Sequence, residues 1–472
     1  MTTYYVSNTT PAASDSNFGL TPDLPWFSPK TKINGAAFSP GDIILLKRGD
    51  DFSASAGDSA NGAIDPISSG ITIGAYGDGP RPILAPNSTA KAGFFINALS
   101  NITIQDIDIR NANQMVTLNN TCQSITVSRC RGYNLGDHAI GTLGTPAGDG
   151  HIFQDCDVSY AANDGFNLQG SVGNTTPVII RRNVFTRIGY LTNDTISGIS
   201  GSGDAITCHG TCRIDAYDNR IRICAKGGIV HVTTALCRSY RNYISDVVSW
   251  GINHTAGSHW IANNIIIFKD DIVTVAGSIP GCINISGTCA ATVFGNTCYV
   301  KSSTNAYCLA NRGNASGTFR NNLCVRDGSS FFASVDLAGV GTVVFDYNSY
   351  AWSATQTTTG EPSLFNATSN KIFSAWKATA LPGAATPDTN GSLHVFQIRN
   401  VPPANDQNAI PKFGSSAINF ANGAVDSGQP DYNLDYFLRP RGALPWDAGA
   451  CEFLAMSGSG LSPNYGGLQV SL

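Results

Sequence analysis

The chain has 472 residues, more than one compact core holds and a natural length for an elongated repeat. Charged residues make up only 13% of it and the formal net charge is −4, so there is no basic face of the kind that nucleic acid requires. No apolar run reaches the roughly 18 residues of a membrane span, and the opening Met1-Thr2-Thr3-Tyr4-Tyr5-Val6 lacks the basic-then-apolar layout of a secretory signal.

Residues 1–58 read as an N-terminal cap. Strands are predicted near Tyr4–Ser7 and Pro40–Lys47, with a short helix between Pro25 and Asn34. Coils begin at Gly70–Tyr76, and Asn101–Ile109 reads as one alternating strand. From Asn163 to Ser258 a short phrase then returns four times, at Asn163–Ser171, Gly203–Thr211, Lys226–Thr234 and Ser249–Gly257. Each holds a turn residue, a small residue, one large apolar anchor and a strand-like run. A second phrase follows in register and supplies a column of asparagines: Asn183, Asn219, Asn242, Asn264, Asn296, Asn322 and Asn348, spaced 36, 23, 22, 32, 26 and 26 residues apart. Coils of 22–26 residues suit three short strands and three turns, and the longer intervals mark insertions. Asparagine at such a turn is expected to tolerate a left-handed backbone and to bond its neighbours above and below. The expected fold is all-β, a right-handed single-stranded parallel β-helix over residues 59–355. Residues 356–472 form a C-terminal capping and oligomerisation region, with a short helix near Phe373–Ala380 and a flexible tail after Met456.

Thirteen cysteines are scattered without a C-x-x-C pair or zinc-like spacing, so no metal site is expected. Several recur in register, Cys282 with Cys308 and Cys298 with Cys324, which fits small thiols stacked in a solenoid wall. Disulfides between coils would instead imply an oxidising setting.

Candidate chemistry follows from stacking the repeats. His138, Asp164 and Asp204 fall two residues before the anchor on successive coils, with Lys226 displaced by one position. Strands about 4.8 Å apart would bring the two carboxylates close enough to raise one pKa and make an acid/base couple. His209 projects outward by alternation, and the inserted segments Thr142–Gly150 and Gly189–Ser202 would wall a groove around it. Because the only glutamates are Glu361 and Glu452, carboxylate chemistry on the coils must use Asp. The competing reading is that Asp before Gly or Ala is a turn residue bonding nearby backbone. The catalytic candidates are therefore Asp164, Asp204, His209 and Lys226. The substrate-binding candidates are His138, Gln169, His231, Trp250 and His254, although alternation points His231 and His254 inward, in line with Leu168 and Cys208.

The segments Tyr4–Ser7, Gly41–Leu46 and Ile71–Gly77 together with the asparagine column resemble the parallel β-helix proteins of the pectate-lyase-like and phage tailspike polysaccharide depolymerase group, over roughly residues 1–355. That resemblance implies a glycan depolymerase acting on a bacterial surface or exo-polysaccharide, carried on a phage tail as a homotrimer among other tail proteins, in the virion or outside the cell. The paired Asp column favours glycoside hydrolysis over β-elimination. Elimination would use Lys226 or His209 as base and would bring in calcium as a cofactor; hydrolysis needs none. A free bacterial polysaccharide lyase and a non-catalytic glycan-binding surface protein are the alternatives.

Overall fold

The computed structural model describes residues 1–197, 203–268, 280–301, 306–327, 335–336 and 341–352, with the short strands 363–366, 369–372 and 392–395. The chain winds into a parallel β-solenoid of about eleven turns. Among the described residues the first sheet has 13 strands, from Thr3–Val6 to Val343–Asp346. The second has 12, from Ile83–Leu84 to Ser392–Val395, and the third 12, from Gly62–Ile64 to Val335–Asp336. One coil takes them in the order third, first, second, as in Ile206–Gly210, Ile214–Tyr217 and Arg220–Cys224. Between the first two strands of the first sheet lies the short helix Pro29–Ile33, with Ser28 accepting from the Thr31 amide at its N-terminus. The opening strands thus continue the first sheet without a break, since Thr3–Val6 pairs in register with Ile43–Leu46. The predicted helix near 373–380 lies outside the described residues.

The asparagine column is the continuous seam between the first and second sheets. All seven side chains are buried. From Asn219 onward the Oδ1 of each accepts from both the backbone N–H and the Nδ2 of the asparagine one coil earlier, as in Asn242 with Asn219 (3.1 and 3.0 Å) and Asn264 with Asn242 (3.0 and 3.0 Å). Asn183 Oδ1 accepts from the Cys156 amide at 3.0 Å. Each Nδ2 also donates to a main-chain carbonyl, for Asn242 that of Ala216 at 2.9 Å. The left-handed residue is not the asparagine, however, but the one before it: Arg182, Asp218, Arg241, Asn263, Asn321 and Tyr347 all have φ between 53 and 57°. The asparagine is selected for its amide, and its predecessor turns the corner.

That turn position carries a pattern of its own. Asp106, Arg129, Asp155, Arg182, Asp218 and Arg241 alternate in sign on six consecutive coils, and Arg129–Asp106, Arg182–Asp155 and Arg241–Asp218 pair at 2.7, 2.7 and 2.8 Å. Asp106, with φ 62°, also divides the expected strand 101–109 into Thr103–Gln105 on the first sheet and Asp108–Arg110 on the second. Ile102, Ile104, Ile107 and Ile109 are all buried, so the apolar period simply continues around the corner.

In the third sheet the anchor and the residue two beyond it point inward. The small residue before each anchor is a matter of space. A Cβ on Gly228 would lie 2.4 Å from the Gly251 carbonyl oxygen of the next coil. The predicted loop Thr142–Gly150 is mostly strand: Ile140–Gly148 pairs with Val116–Thr121, with a register shift between Leu143 and Ala147. The 12 described cysteines are buried.

Candidate active site

Asp164 and Asp204 precede third-sheet strands Phe166–Leu168 and Ile206–Gly210, which pair residue for residue from Phe166 and Ile206. The predicted stacking of His138, Asp164 and Asp204 is therefore present. Their side chains do not stand open in a groove, though: Asp164 is 5% and Asp204 1% exposed.

The two carboxylates differ in their partners. Asp164 Oδ1 accepts from the Gly203 and Asp204 amides, both at 3.0 Å, and its Oδ2 from Asn167 Nδ2 at 3.0 Å. It staples one coil to the next, much as the turn-residue reading expects, but across coils instead of within its own. Asp204 Oδ2 pairs with Lys226 Nζ at 2.7 Å, and a Cβ on Gly227 would meet its Oδ1 at 2.6 Å. Burial raises the Asp204 carboxyl to about 6; Lys226 opposes the rise and the charge of Asp164 adds to it. Lys226 reaches Asp204 from solvent, its side chain 41% exposed.

His138 borders the pair, its Nδ1 accepting from the Asp164 amide at 3.2 Å and its Nε2 3.4 Å from Asp137. His209 is half-buried on the outward side. Desolvation lowers its pKa, Asp164 opposing and Lys226 and His231 adding. Gln169 is exposed and donates through Nε2 to Asn167 at 3.1 Å. The inserted segment Gly189–Ser202 is described only to Ser197, whose hydroxyl donates to the Ala162 carbonyl.

The other three candidates do not join this site. His231 and His254 are fully buried, inward in the column of Leu168 and Cys208, so neither can touch a glycan on the outer face. Trp250 is 6% exposed and packs with Tyr307 and Ala310 on the outside of the sheet, under the Arg312 guanidinium at 5.4 Å. Sequence reasoning missed Asn167 and Asp137, both of which hold the line of polar groups in place. Their signal was alternation, which puts Asn167 outward one residue past the anchor. A concavity of about 450 Å³ lined by Leu236, Trp260, Thr292 and Thr318 lies against the first sheet instead, with no ionisable pair comparable to Asp204–Lys226.

The arrangement can therefore present a protonatable buried carboxyl, an adjacent ammonium and a fixed second carboxylate. It does not suit calcium, which takes six to eight oxygen ligands. The oxygens of Asp164 are already engaged by three donors, and Lys226 puts a positive charge where the ion would sit.

No family model and no curated protein matches the sequence. Among solved structures the chain is similar to XylC in complex with xylose, with TM-score 0.52, 11% identity, and 74% of this chain and 83% of that one covered. It is similar to the lacto-N-biosidase of family GH136 from Eubacterium ramulus, with TM-score 0.48, 12% identity and 84% and 68% covered. A third is pectate lyase Pel9A, with TM-score 0.44, 16% identity and 96% of both chains covered. The likeness to XylC agrees with the architecture that the three parallel sheets define: the chain has the fold of a right-handed parallel β-helix.

Proposed function

We propose that the chain cleaves a glycan by hydrolysis, with Asp204 as the proton donor. The observation that carries this reading is the Asp204 carboxyl, held near pKa 6 inside the wall and touched at one oxygen by a lysine that reaches out to solvent. A carboxyl titrating close to working pH is what general acid catalysis uses. The β-helix shared with a structure that holds xylose supports a carbohydrate as the substrate class. In this reading Lys226 swings off Oδ2 when the sugar binds. Asp204 then protonates the glycosidic oxygen as its bond to the anomeric carbon breaks, and Asp164 supplies the negative charge that faces the developing cation. A water adds to the anomeric carbon while giving its proton back to the Asp204 carboxylate. His138, His209 and Gln169 border the bound chain. The same reading takes the substrate as a bacterial surface or exo-polysaccharide and the chain as one protomer of a homotrimer on a phage particle, as the tailspike resemblance implies.

The test is a panel of bacterial exopolysaccharides incubated with the full chain and with Asp204→Asn. The expected result is new reducing ends without unsaturated uronate, and a fall in turnover of roughly 10²–10⁴ in the variant at unchanged fold. Ultraviolet absorbance from an unsaturated uronate would replace hydrolysis by elimination, with Lys226 or His209 as base. Unchanged chain length with retained binding would make the protein a glycan binder. A folded, fully active Asp204→Asn would remove the site assignment.

A further inference from the structure

Where the third sheet hands over to the first, four polar side chains fill the interior on two neighbouring coils. His231 stacks on His254 in the third sheet, and Cys237 on His259 in the first. All four are at most 3% exposed. One ligand atom each from His231, Cys237 and His259 lie within 4.8 Å of one another. The His254 ring centre is 4.4 Å from that of His231 and 4.1 Å from that of His259.

Two further observations separate this corner from ordinary core. In the coils on either side, the same two columns hold Leu168, Cys208 and Ile285 in the third sheet and Ile214 and Ala291 in the first. Imidazoles thus replace apolar side chains at this one level. Their polar atoms are also left without partners among the described residues: both nitrogens of His231, both of His254 and Nδ1 of His259 are buried and make no hydrogen bond there. Buried polar groups in native proteins are nearly always paired, and a cluster of five unpaired nitrogens calls for a ligand. The Nε2 of His259 does have a partner, the Ala256 carbonyl. With the proton on Nε2, the free lone pair is on Nδ1. This is the arrangement by which a backbone carbonyl orients a metal-binding histidine.

We propose that this corner binds a structural zinc ion, held by His231, Cys237 and His259, with His254 as the fourth ligand. Imidazole and thiolate without a carboxylate select a borderline-soft d-block ion over calcium or magnesium. Tetrahedral bonds of about 2.0–2.3 Å place ligand atoms roughly 3.3–3.8 Å apart, so the three atoms that lie within 4.8 Å of one another draw together and the His254 ring turns to join them. On binding, the Cys237 thiol gives up its proton to solvent and the imidazoles bind neutral. With every ligand buried, the ion closes two coils together and has no open position for substrate, so its role is structural. The site does not depend on the glycan reading, and either can fail alone.

The experiment takes the full chain, expressed with zinc in the medium and purified without chelator. Elemental analysis is expected to show about one zinc per chain. Cobalt exchanged into the site should give intense tetrahedral d–d bands with a thiolate charge-transfer band. Cys237→Ser should lose that charge-transfer band while far-ultraviolet circular dichroism keeps its β-sheet form. Prolonged chelation should lower the melting temperature of the wild type and not of His231→Leu/His259→Leu, which restores an apolar interior. Should Cys237→Ser fail to fold, the metal content and cobalt spectrum of the wild type decide by themselves. A folded wild type without bound metal, showing no tetrahedral cobalt bands on loading and unmoved by chelator, overturns the proposal.

Discussion

Two buried polar columns run inside the wall of this solenoid, and they differ in one respect. At the seam between first and second sheets, each asparagine amide is spent on the coil before it and on the main chain, so the column is closed on itself. At the corner between third and first sheets, the imidazole nitrogens of His231 and His254 find no hydrogen-bond partner among the described residues. A column that repeats unchanged over seven coils and satisfies itself is architecture. A polar cluster confined to two coils, with open lone pairs, points to something the chain has yet to bind. The Asp164–Asp204 line falls between these extremes, because Asp164 is fully engaged and Asp204 is half engaged, by a residue that can leave.

The largest effect should come from breaking the closed column. Asn242→Ala removes the acceptor for the Asn219 amide and its Nδ2, stranding two buried donors in the middle of the stack. At about 1–3 kcal/mol for each orphaned group, the loss should be about 3–5 kcal/mol. Urea denaturation is the measurement. Because coils couple chiefly to their neighbours, the unfolding curve should also broaden as the halves on either side separate. A loss under about 1 kcal/mol would mean that water replaces the amide, and that the column is not closed.

The next effect has the opposite sign. Burial raises Asp204 from an ordinary 3.8 to about 6, so the folded chain holds this proton more tightly than the unfolded chain does. Stability from this group is complete below the unfolded value, falls as pH rises between about 4 and 6, and stays low above that. The full difference is worth about 3 kcal/mol, at about 1.36 kcal/mol per pKa unit. Asp204→Asn should therefore stabilise the chain by about 1–3 kcal/mol at pH 8 and leave it unchanged at pH 4, while turnover falls. Melting curves at the two pH values check it. Equal effects at both would mean that Asp204 is not strained in its charged form.

The sequence carries the period more clearly than the direction of any side chain at a turn. The asparagine spacing shows the coil length, and strand alternation correctly turns His231 and His254 inward. Alternation could not show that Cys237 and His259 complete their cluster, because those two lie on a different sheet and meet the imidazoles only across a corner. The left-handed position was misplaced by one residue for a related reason. The repeated letter is the asparagine, whereas its predecessor varies among Arg, Asp, Asn, Gly and Tyr, so the backbone requirement leaves no single-letter trace. Asp164 and Asp204 were found because they recur at one offset from the anchor. Their burial was not legible, since it depends on how Gly203 and Lys226 close over them.

The smallest effects belong to the alternating charges at that left-handed position, and these sharpen the comparison because one motif occurs in two settings. Arg129 pairs with Asp106 at 2.7 Å with a side chain 47% exposed, whereas Arg241 pairs with Asp218 at 2.8 Å with a side chain only 5% exposed. The Arg241 guanidinium also lies 4.9 Å from the Tyr240 ring centre and 5.6 Å from that of Tyr217, two rings stacked 4.8 Å apart. Removing Arg241 thus uncovers aromatic surface as well as a carboxylate, and Arg241→Ala should cost about 2 kcal/mol. Arg129→Ala loses only a solvent-screened pair and should cost about 0.2–1 kcal/mol. Added salt distinguishes the two further, because screening acts on exposed charges over a Debye length of about 10 Å at 0.1 M and far less on buried ones. In denaturation at low and high salt, the cost of Arg129→Ala should shrink toward zero and that of Arg241→Ala should persist. If both vanish in salt, the alternating ladder is surface electrostatics throughout. If both persist, the charge pattern belongs with the asparagines as part of what holds the coils in register.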